Sequence, residues 1–392
     1  MSSKSYTLRW GILATGGIAK TFTTDLLVNP TTRDVHDVTH AVVAAASSTS
    51  AERARSFLSD CGAPSSAAAY GSYAELVADP NIDIIYVATP HSHHFQNAML
   101  CLKAGKNVLC EKPLTVNAAQ TKKLVATAKQ KGVFLMEAVW TRFFPATKQV
   151  QQLVTEGAIG PVRRIVADFS MHSDVEKEWK DSHRLLNMDL AGGALLDLGV
   201  YPINWVFQIL YHLQSSPSTS SHSTQPSSQN PLPPTVTSSM TKYAPTGCDE
   251  NTTVLMTFPG YNGGSQGIAT TSLRTSSETG PSVRIYGDKG EIQIDGLPCH
   301  PDNYRLITVN PGEGSVSRQP KEVRFPVPGG GKGMFYEADE CARCLRDGRK
   351  ESESIGWMES IAIMETMDEV RRQNGLVYPE RIESAEYPLE GF

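Results

Sequence analysis

Trp10-Gly11-Ile12-Leu13-Ala14-Thr15-Gly16-Gly17-Ile18-Ala19 decides the fold. An apolar run ends in a glycine turn, and the turn opens a segment with helical periodicity. In that context a GxGxxG/A spacing marks a dinucleotide phosphate turn. The register here is Ala14-x-Gly16-x-x-Ala19, so alanine replaces the first glycine. Gly16 still permits close backbone approach to a pyrophosphate, and Ala19 keeps tight helix packing. Gly16, Gly17 and Ile18 would present backbone N–H groups at a helix N-terminus to the phosphates.

From this stretch to Ala138 the chain alternates short apolar runs with helical segments. Strands are expected at Leu8–Leu13, Ala41–Ala46, Ile82–Ala88, Asn107–Cys110 and Val133–Glu137. Helices are expected at Ile18–Leu27, Ala51–Ser59, Tyr73–Ala78, His93–Ala104 and Ala118–Lys131. The alternation predicts an α/β Rossmann domain over residues 1–138 with a doubly wound parallel sheet. The second strand ends in Ser47-Ser48-Thr49-Ser50, with Arg53 close behind. An NAD site usually carries a carboxylate there for the ribose 2′-hydroxyl. Ser47, Ser48 and Arg53 would instead accept a 2′-phosphate, so NADP is the expected cofactor. Thr89-Pro90-His91-Ser92-His93-His94 follows the third of these runs, at the strand end where dinucleotides lie. Thr89, Pro90, His91 and His94 are therefore expected at the cofactor; no carboxylate nearby completes a metal site.

After Trp140 the pattern changes. A helix near Ala146–Glu156, a strand at Val162–Ser170 and a helical region at Asp197–Leu213 are followed by extended runs. These are Thr252–Phe258, Gly267–Leu273, Ser282–Gly287, Glu291–Ile294, Arg305–Val309 and Val323–Val327. Helices at Met334–Leu345 and Gly356–Gln373 close the chain. The order predicts, for residues 139–392, an α+β domain with an open, mostly antiparallel sheet. Ser215 to Ser239 is rich in Ser and Pro and poor in large apolar residues, and is expected to be a flexible insertion.

The chain has 392 residues, more than one core usually serves. A net charge of −5 speaks against broad nucleic-acid or anionic-membrane binding. Neither a signal peptide nor an apolar run long enough to span a membrane is visible. Seven scattered cysteines suit reduced thiols in the cytoplasm better than a disulfide framework. Cys341-x-x-Cys344 lacks a second pair and falls on an amphipathic helix, so ordinary packing is expected.

Two further groups carry chemistry. Glu111-Lys112-Pro113 puts a lysine just past the apolar run ending at Cys110. Asp197 and Tyr201 sit four apart, on one face of a helix. Lysine, aspartate and tyrosine together form a proton-transfer set suited to oxidising an alcohol, the other half of a hydride transfer. Trp140 and Arg142 lie at the domain junction and are expected to wall the nicotinamide, with Trp140 also facing substrate. His183 and Arg184 are candidate substrate donors.

At this point the chain is identified as resembling the glucose–fructose oxidoreductase/inositol dehydrogenase (Gfo/Idh/MocA) family. The matching stretches are 88–94, Glu111-Lys112-Pro113, 136–145, 191–202 and 359–368. The resemblance implies a Rossmann domain followed by an open-faced sheet domain, with a small-molecule sugar substrate in the cleft between them. It implies homodimers, often packed through the open sheet, and a reacting centre lined by Lys112, Asp197 and Tyr201; Glu111 and Lys112 of the E-K-P turn are also expected at the cofactor. Many relatives carry histidine at the position of Tyr201; tyrosine points to the branch that oxidises D-xylose or aromatic trans-dihydrodiols. The implied reaction is NADP-dependent oxidation of an aldopyranose C1 hydroxyl, D-xylose foremost, to the 1,5-lactone. The alternatives are a trans-1,2-dihydrodiol dehydrogenase and a non-catalytic dinucleotide-sensing regulator. Tyr201 would take the hydroxyl proton. A free phenol titrates at ~10, so a cation is needed to bring it down, and Lys112 is the expected source. Asp197 would orient Lys112 or bind a sugar hydroxyl.

Overall fold

Strand–helix alternation becomes one parallel sheet. In the computed structural model, which describes residues 5–215, 231–277, 280–309, 320–390 and 392, six strands build it. They are β1 (Tyr6–Leu13), β2 (Val38–Ala46), β3 (Ala68–Tyr70), β4 (Ile84–Val87), β5 (Asn107–Glu111) and β6 (Leu135–Ala138). Their order is β3-β2-β1-β4-β5-β6, and every pairing is parallel. That is the doubly wound order whose strand reversal lies beside β1. The connecting helices are α1 (Gly17–Leu26), α2 (Ala51–Asp60), α3 (Tyr73–Ala78), α4 (His91–Lys103) and α5 (Ala118–Lys131). Ser50, Ser72 and Asn117 cap α2, α3 and α5 by accepting backbone N–H groups. Gly132 closes α5 in the left-handed conformation, where a side chain is disfavoured. Two local expectations are corrected. β3 is too short to leave a periodic signal. Helix α4 begins at His91, because Pro90 stands at its N-cap with a φ of −58°.

The second sheet has eight strands in the order β14-β13-β12-β11-β7-β10-β9-β8. They are β7 (Val162–Ser170), β8 (Thr235–Lys242), β9 (Asp249–Phe258), β10 (Ser265–Ser272), β11 (Pro281–Gly287), β12 (Gly290–Asp295), β13 (Asn303–Thr308) and β14 (Lys321–Arg324). Only β7 and β10 pair in parallel; the other pairings are antiparallel. Helices α6 (Pro145–Thr155), α7 (Val175–Glu178) and α8 (Val200–Leu210) precede most of it. Every residue of α8 is buried, and its apolar side chains join Val254, Met256, Phe258 and Ile285 in one core. The opposite face is open. There Leu255, Ile268 and Val166 line up across β9, β10 and β7 and remain partly exposed.

Three expectations for this half change. The stretch from Thr235 to Ser239, placed in the flexible insertion, belongs to edge strand β8; residues 216–230 lie outside the described residues. An edge strand half open to water needs no apolar run, so composition concealed it. The single helix expected over Asp197–Leu213 is a π-helical turn, Leu195–Gly199, running into α8. Met188–Gln214, overlooked as a long apolar stretch, is long and apolar enough to cross a membrane by length and composition. It lies almost wholly buried as the core helix of the second sheet.

The chain then returns to the first sheet. α9 (Phe335–Arg346) places Met334, Ala338, Cys341, Ala342 and Cys344 in one core with Leu8, Trp10 and Phe22. Trp357 and Ile361 of α10 (Trp357–Gln373) pack in the core of β4, α4 and α5. The last part of the chain therefore packs on the first sheet as well as beside the second. Asp339 ties the return down: it pairs with Arg33 at 2.8 Å and with His40 at 2.9 Å, all three side chains almost fully buried. Cys341 and Cys344 are buried, as expected of helix packing, and all seven cysteines are free thiols.

Candidate active site

The residues at the end of β1 fit a dinucleotide. Ala14 has a φ of +91° and turns the chain sharply. Gly16 is the extended N-cap of α1 and makes no side-chain cap, so the first N–H groups of the helix keep their donors free. A Cβ on Gly16 or Gly17 would meet nothing within 4 Å, so the turn borders open space. Ile18, 43% exposed, lies at its rim, and no acidic residue stands in the first turn to repel phosphate. At the end of β2, Ser47 is buried and bonded to Thr49 at 2.9 Å, while Ser48 is exposed. Arg53 is exposed and enters no ion pair among the described residues. Tyr73, absent from the sequence reading, stands with them: burial pushes its phenol up, while Ser48 and Arg53 pull it down.

The proton-transfer set also comes together. Lys112 follows β5 and precedes a cis peptide bond to Pro113. Its Nζ donates to the Asp197 carbonyl oxygen at 2.7 Å and to Asp197 Oδ1 at 3.0 Å. Arg184 donates to both carboxylate oxygens, at 3.0 and 3.2 Å. His91 Nε2 lies 3.5 Å from the same Oδ1. Burial pushes the Asp197 carboxyl up, but Lys112, His91 and Arg184 outweigh it and hold it well below the usual carboxylate range. Tyr201, one turn on, accepts a hydrogen bond from Trp140 Nε1 at 3.1 Å.

The role expected of Lys112 is corrected here. Its ammonium stands 5.0 Å from the centroid of the Tyr201 ring, and both its hydrogen bonds go to Asp197, not to the phenolic oxygen. Burial, then Cys299 and Glu111, push the Tyr201 phenol well above its ordinary value, and Asp197 adds to this. The Trp140 N–H pulls the other way, because an indole can only donate and so favours the anion.

Three residues expected at the cofactor are committed elsewhere. His94 is fully buried, with its ring nitrogens 2.8 Å from the carbonyl oxygens of Pro113 and Thr89. It braces the turn that carries Lys112. Arg142 is 1% exposed and bonded to Glu359 at 2.6 Å and to Asn204, so it joins α8 to α10. Glu111 is buried, takes the Tyr86 hydroxyl proton as a hydrogen bond and caps the Lys112 N–H. Burial pushes its carboxyl up against the pull of Tyr86 and Lys112. Thr89 is buried and accepts from Asn97, whereas Pro90 is exposed. His91 turns to Asp197.

On the other side of Tyr201, the Trp140 ring meets Phe144 and His300 edge-on at 5.5 and 5.7 Å. His183 stacks on Trp179 at 4.5 Å beside the exposed Arg184. Cys299 and His300 were missed by the sequence reading. The one signal was local: a cysteine and a histidine between two prolines in a loop, Pro298 to Pro301. Among the described residues no cluster of His, Cys, Asp and Glu could hold a metal ion.

A model of an oxidoreductase family with an NAD-binding Rossmann fold matches residues 8–139, and a GFO/IDH/MocA C-terminal domain model matches 147–293. The chain belongs to the Gfo/Idh/MocA family. Among family members, it is 52% identical to D-xylose 1-dehydrogenase (NADP+) of Hypocrea jecorina over 98% of this chain and 97% of that one. It is 35% identical to human trans-1,2-dihydrobenzene-1,2-diol dehydrogenase over 95% of this chain and 98% of that one. A levoglucosan dehydrogenase, solved with NADH and levoglucosan, shares the Gfo/Idh/MocA fold at a TM-score of 0.77. It covers 94% of this chain and 97% of its own at 18% identity.

Proposed function

We propose that the chain is an NADP-dependent dehydrogenase that oxidises the C1 hydroxyl of an aldopyranose, D-xylose foremost, to the 1,5-lactone. The observation that carries this reading is the meeting of Lys112, Asp197 and Tyr201 in one cluster. The similarity to D-xylose 1-dehydrogenase (NADP+) supports the choice of sugar and cofactor. Gly16, Gly17 and Ile18 would hold the pyrophosphate; Ser48, Arg53 and Tyr73 would hold the 2′-phosphate. NADP, when bound, supplies a hydride acceptor for the carbinol carbon. Tyr201, ionised to the phenolate with its own proton released to solvent, takes the hydroxyl proton. The Trp140 N–H holds its oxygen in place and favours the anion, whereas the Lys112 ammonium is paired with Asp197 and makes no bond to that oxygen. Asp197 keeps that ammonium in position. Arg184 and the Trp179–His183 stack offer donors and an aromatic face to the sugar.

Steady-state turnover of D-xylose with NADP, set against NAD, tests this directly. Tyr201→Phe should abolish turnover and leave NADP binding intact. Failure of any aldose to yield NADPH would overturn the reading. The likeness to dihydrodiol dehydrogenases and the aromatic walls favour one rival substrate, a trans-dihydrodiol of benzene; side-by-side rates decide between them.

The functional unit in this proposal is a homodimer formed through the open sheet face. The row of Leu255, Ile268 and Val166 is the apolar strip such a contact would bury.

A further inference from the structure

Asp249, the first residue of β9, is fully buried, yet it faces the active-site turn and not the sheet. Its Oδ2 accepts the Leu195 N–H at 2.6 Å and the Thr252 hydroxyl at 3.1 Å. Its Oδ1 accepts no hydrogen bond among the described residues. That oxygen lies against Gly193, where a Cβ would come within 2.0 Å of it. Leu195 is the residue that opens the π-helical turn carrying Asp197. Gly193, with a φ of +123°, lets the preceding backbone pass the carboxylate, and the Tyr378 hydroxyl holds Gly192 by its carbonyl at 2.8 Å. A short bond to a charged acceptor is the strong kind, and here it is aimed at the first N–H of the turn.

We propose that Asp249 is a positioning residue: through the Leu195 amide it sets the rotation of the Leu195–Gly199 turn. It thereby sets the aim of Asp197 at Lys112 and of Tyr201 at Trp140. This rests on the dehydrogenase reading above. The carboxylate form makes the strong bond, so protonation loosens the turn. Burial pushes Asp249 up to about 6, against the pull of the Leu195 N–H, Thr252 and the Arg371 guanidinium of α10. Cys248 and Tyr378 also face it and stay neutral, since burial raises both. Glu250, next along β9, is turned to Arg274 at 2.6 Å. Activity should therefore decline as pH falls through about 6.

The test compares Asp249→Ala and Asp249→Asn with the wild-type chain. In Asp249→Ala, kcat on D-xylose should fall on the order of 10²-fold, the cost of about 1 Å of misplacement, with NADP affinity unchanged. Hydrogen–deuterium exchange should rise over residues 193–201 and not over 12–20. Asp249→Asn offers Leu195 only the neutral acceptor of the protonated acid at every pH, so its kcat should sit at the lowered level that the wild-type chain reaches below pH 6 and should show no further acid decline there. An Asp249→Asn profile that keeps that decline overturns the proposal. So does wild-type exchange over 193–201 in Asp249→Ala. If Asp249→Ala does not fold, the Asp249→Asn profile decides. If the wild-type chain turns over no sugar, the dehydrogenase reading fails, and the exchange measurement still decides the role of Asp249.

Discussion

The indole of Trp140 and the guanidinium of Arg142 stand two residues apart and do opposite things. Trp140 donates to the Tyr201 oxygen, so Trp140→Phe removes the group that favours the phenolate. The Tyr201 pKa rises, and the rise of kcat with pH should move about one unit toward alkali, the worth of a single hydrogen bond. A pH–rate profile checks it. Arg142 is the buried partner of Glu359. Arg142→Met leaves that carboxylate with only the His212 ring, at 2.9 Å, as partner and should cost about 3 kcal/mol in denaturant unfolding, with NADP affinity of the folded protein unchanged. Arg53→Ala should do the reverse: it should raise the KM for NADP but not for NAD, with no loss of stability. The convergence of Lys112, Asp197 and Tyr201 was legible, because a four-residue spacing and a strand end are local facts. That Asp197 would orient Lys112 was one of the two roles read for it; that its carbonyl oxygen would take the second bond and leave none for the phenol was not legible, since that depends on backbone placed by another domain. Nor was the burial of His94 and Arg142, whose partners lie far along the chain.

Among elements, strands with continuous apolar runs were readable, and those without them were not. β4 reads Ile-Ile-Tyr-Val and is buried throughout; β8 alternates half-buried and exposed positions and was taken for part of the insertion. The π-helical turn left no mark, because it differs from an α-helix only in which carbonyl each N–H reaches. Its anchor has a thermodynamic cost. Asp249 titrates near 6 when folded and at 3.8 in its ordinary state. The folded chain thus holds the proton that the unfolded chain has released, and stability falls as pH rises between those values. Above pH 6 the penalty is complete. Asp249→Asn should therefore unfold later than the wild-type chain at pH 7.5, by up to about 3 kcal/mol, and match it near pH 4. Thermal unfolding at the two pH values measures the difference.

The whole molecule was legible as two sheets in sequence order, a parallel one and a mostly antiparallel one. The return of the chain was not, because α9 reads as any amphipathic helix and nothing local says which sheet it covers. The open sheet offers a clean test of assembly. Ile268→Glu puts a charge at the centre of the Leu255–Ile268–Val166 row; on the homodimer proposal, sedimentation should find dimers of the wild-type chain and monomers of the variant, and a monomeric wild-type chain would overturn that proposal. Met334, Cys341 and Cys344 pack among Leu8, Trp10 and Phe22, so the first domain borrows the last part of the chain to finish its core. On the ribosome the nucleotide-binding half emerges first with an uncovered apolar flank. That flank stays open until residues 334–346 have been made, so this half of the protein cannot close its core before translation is nearly over.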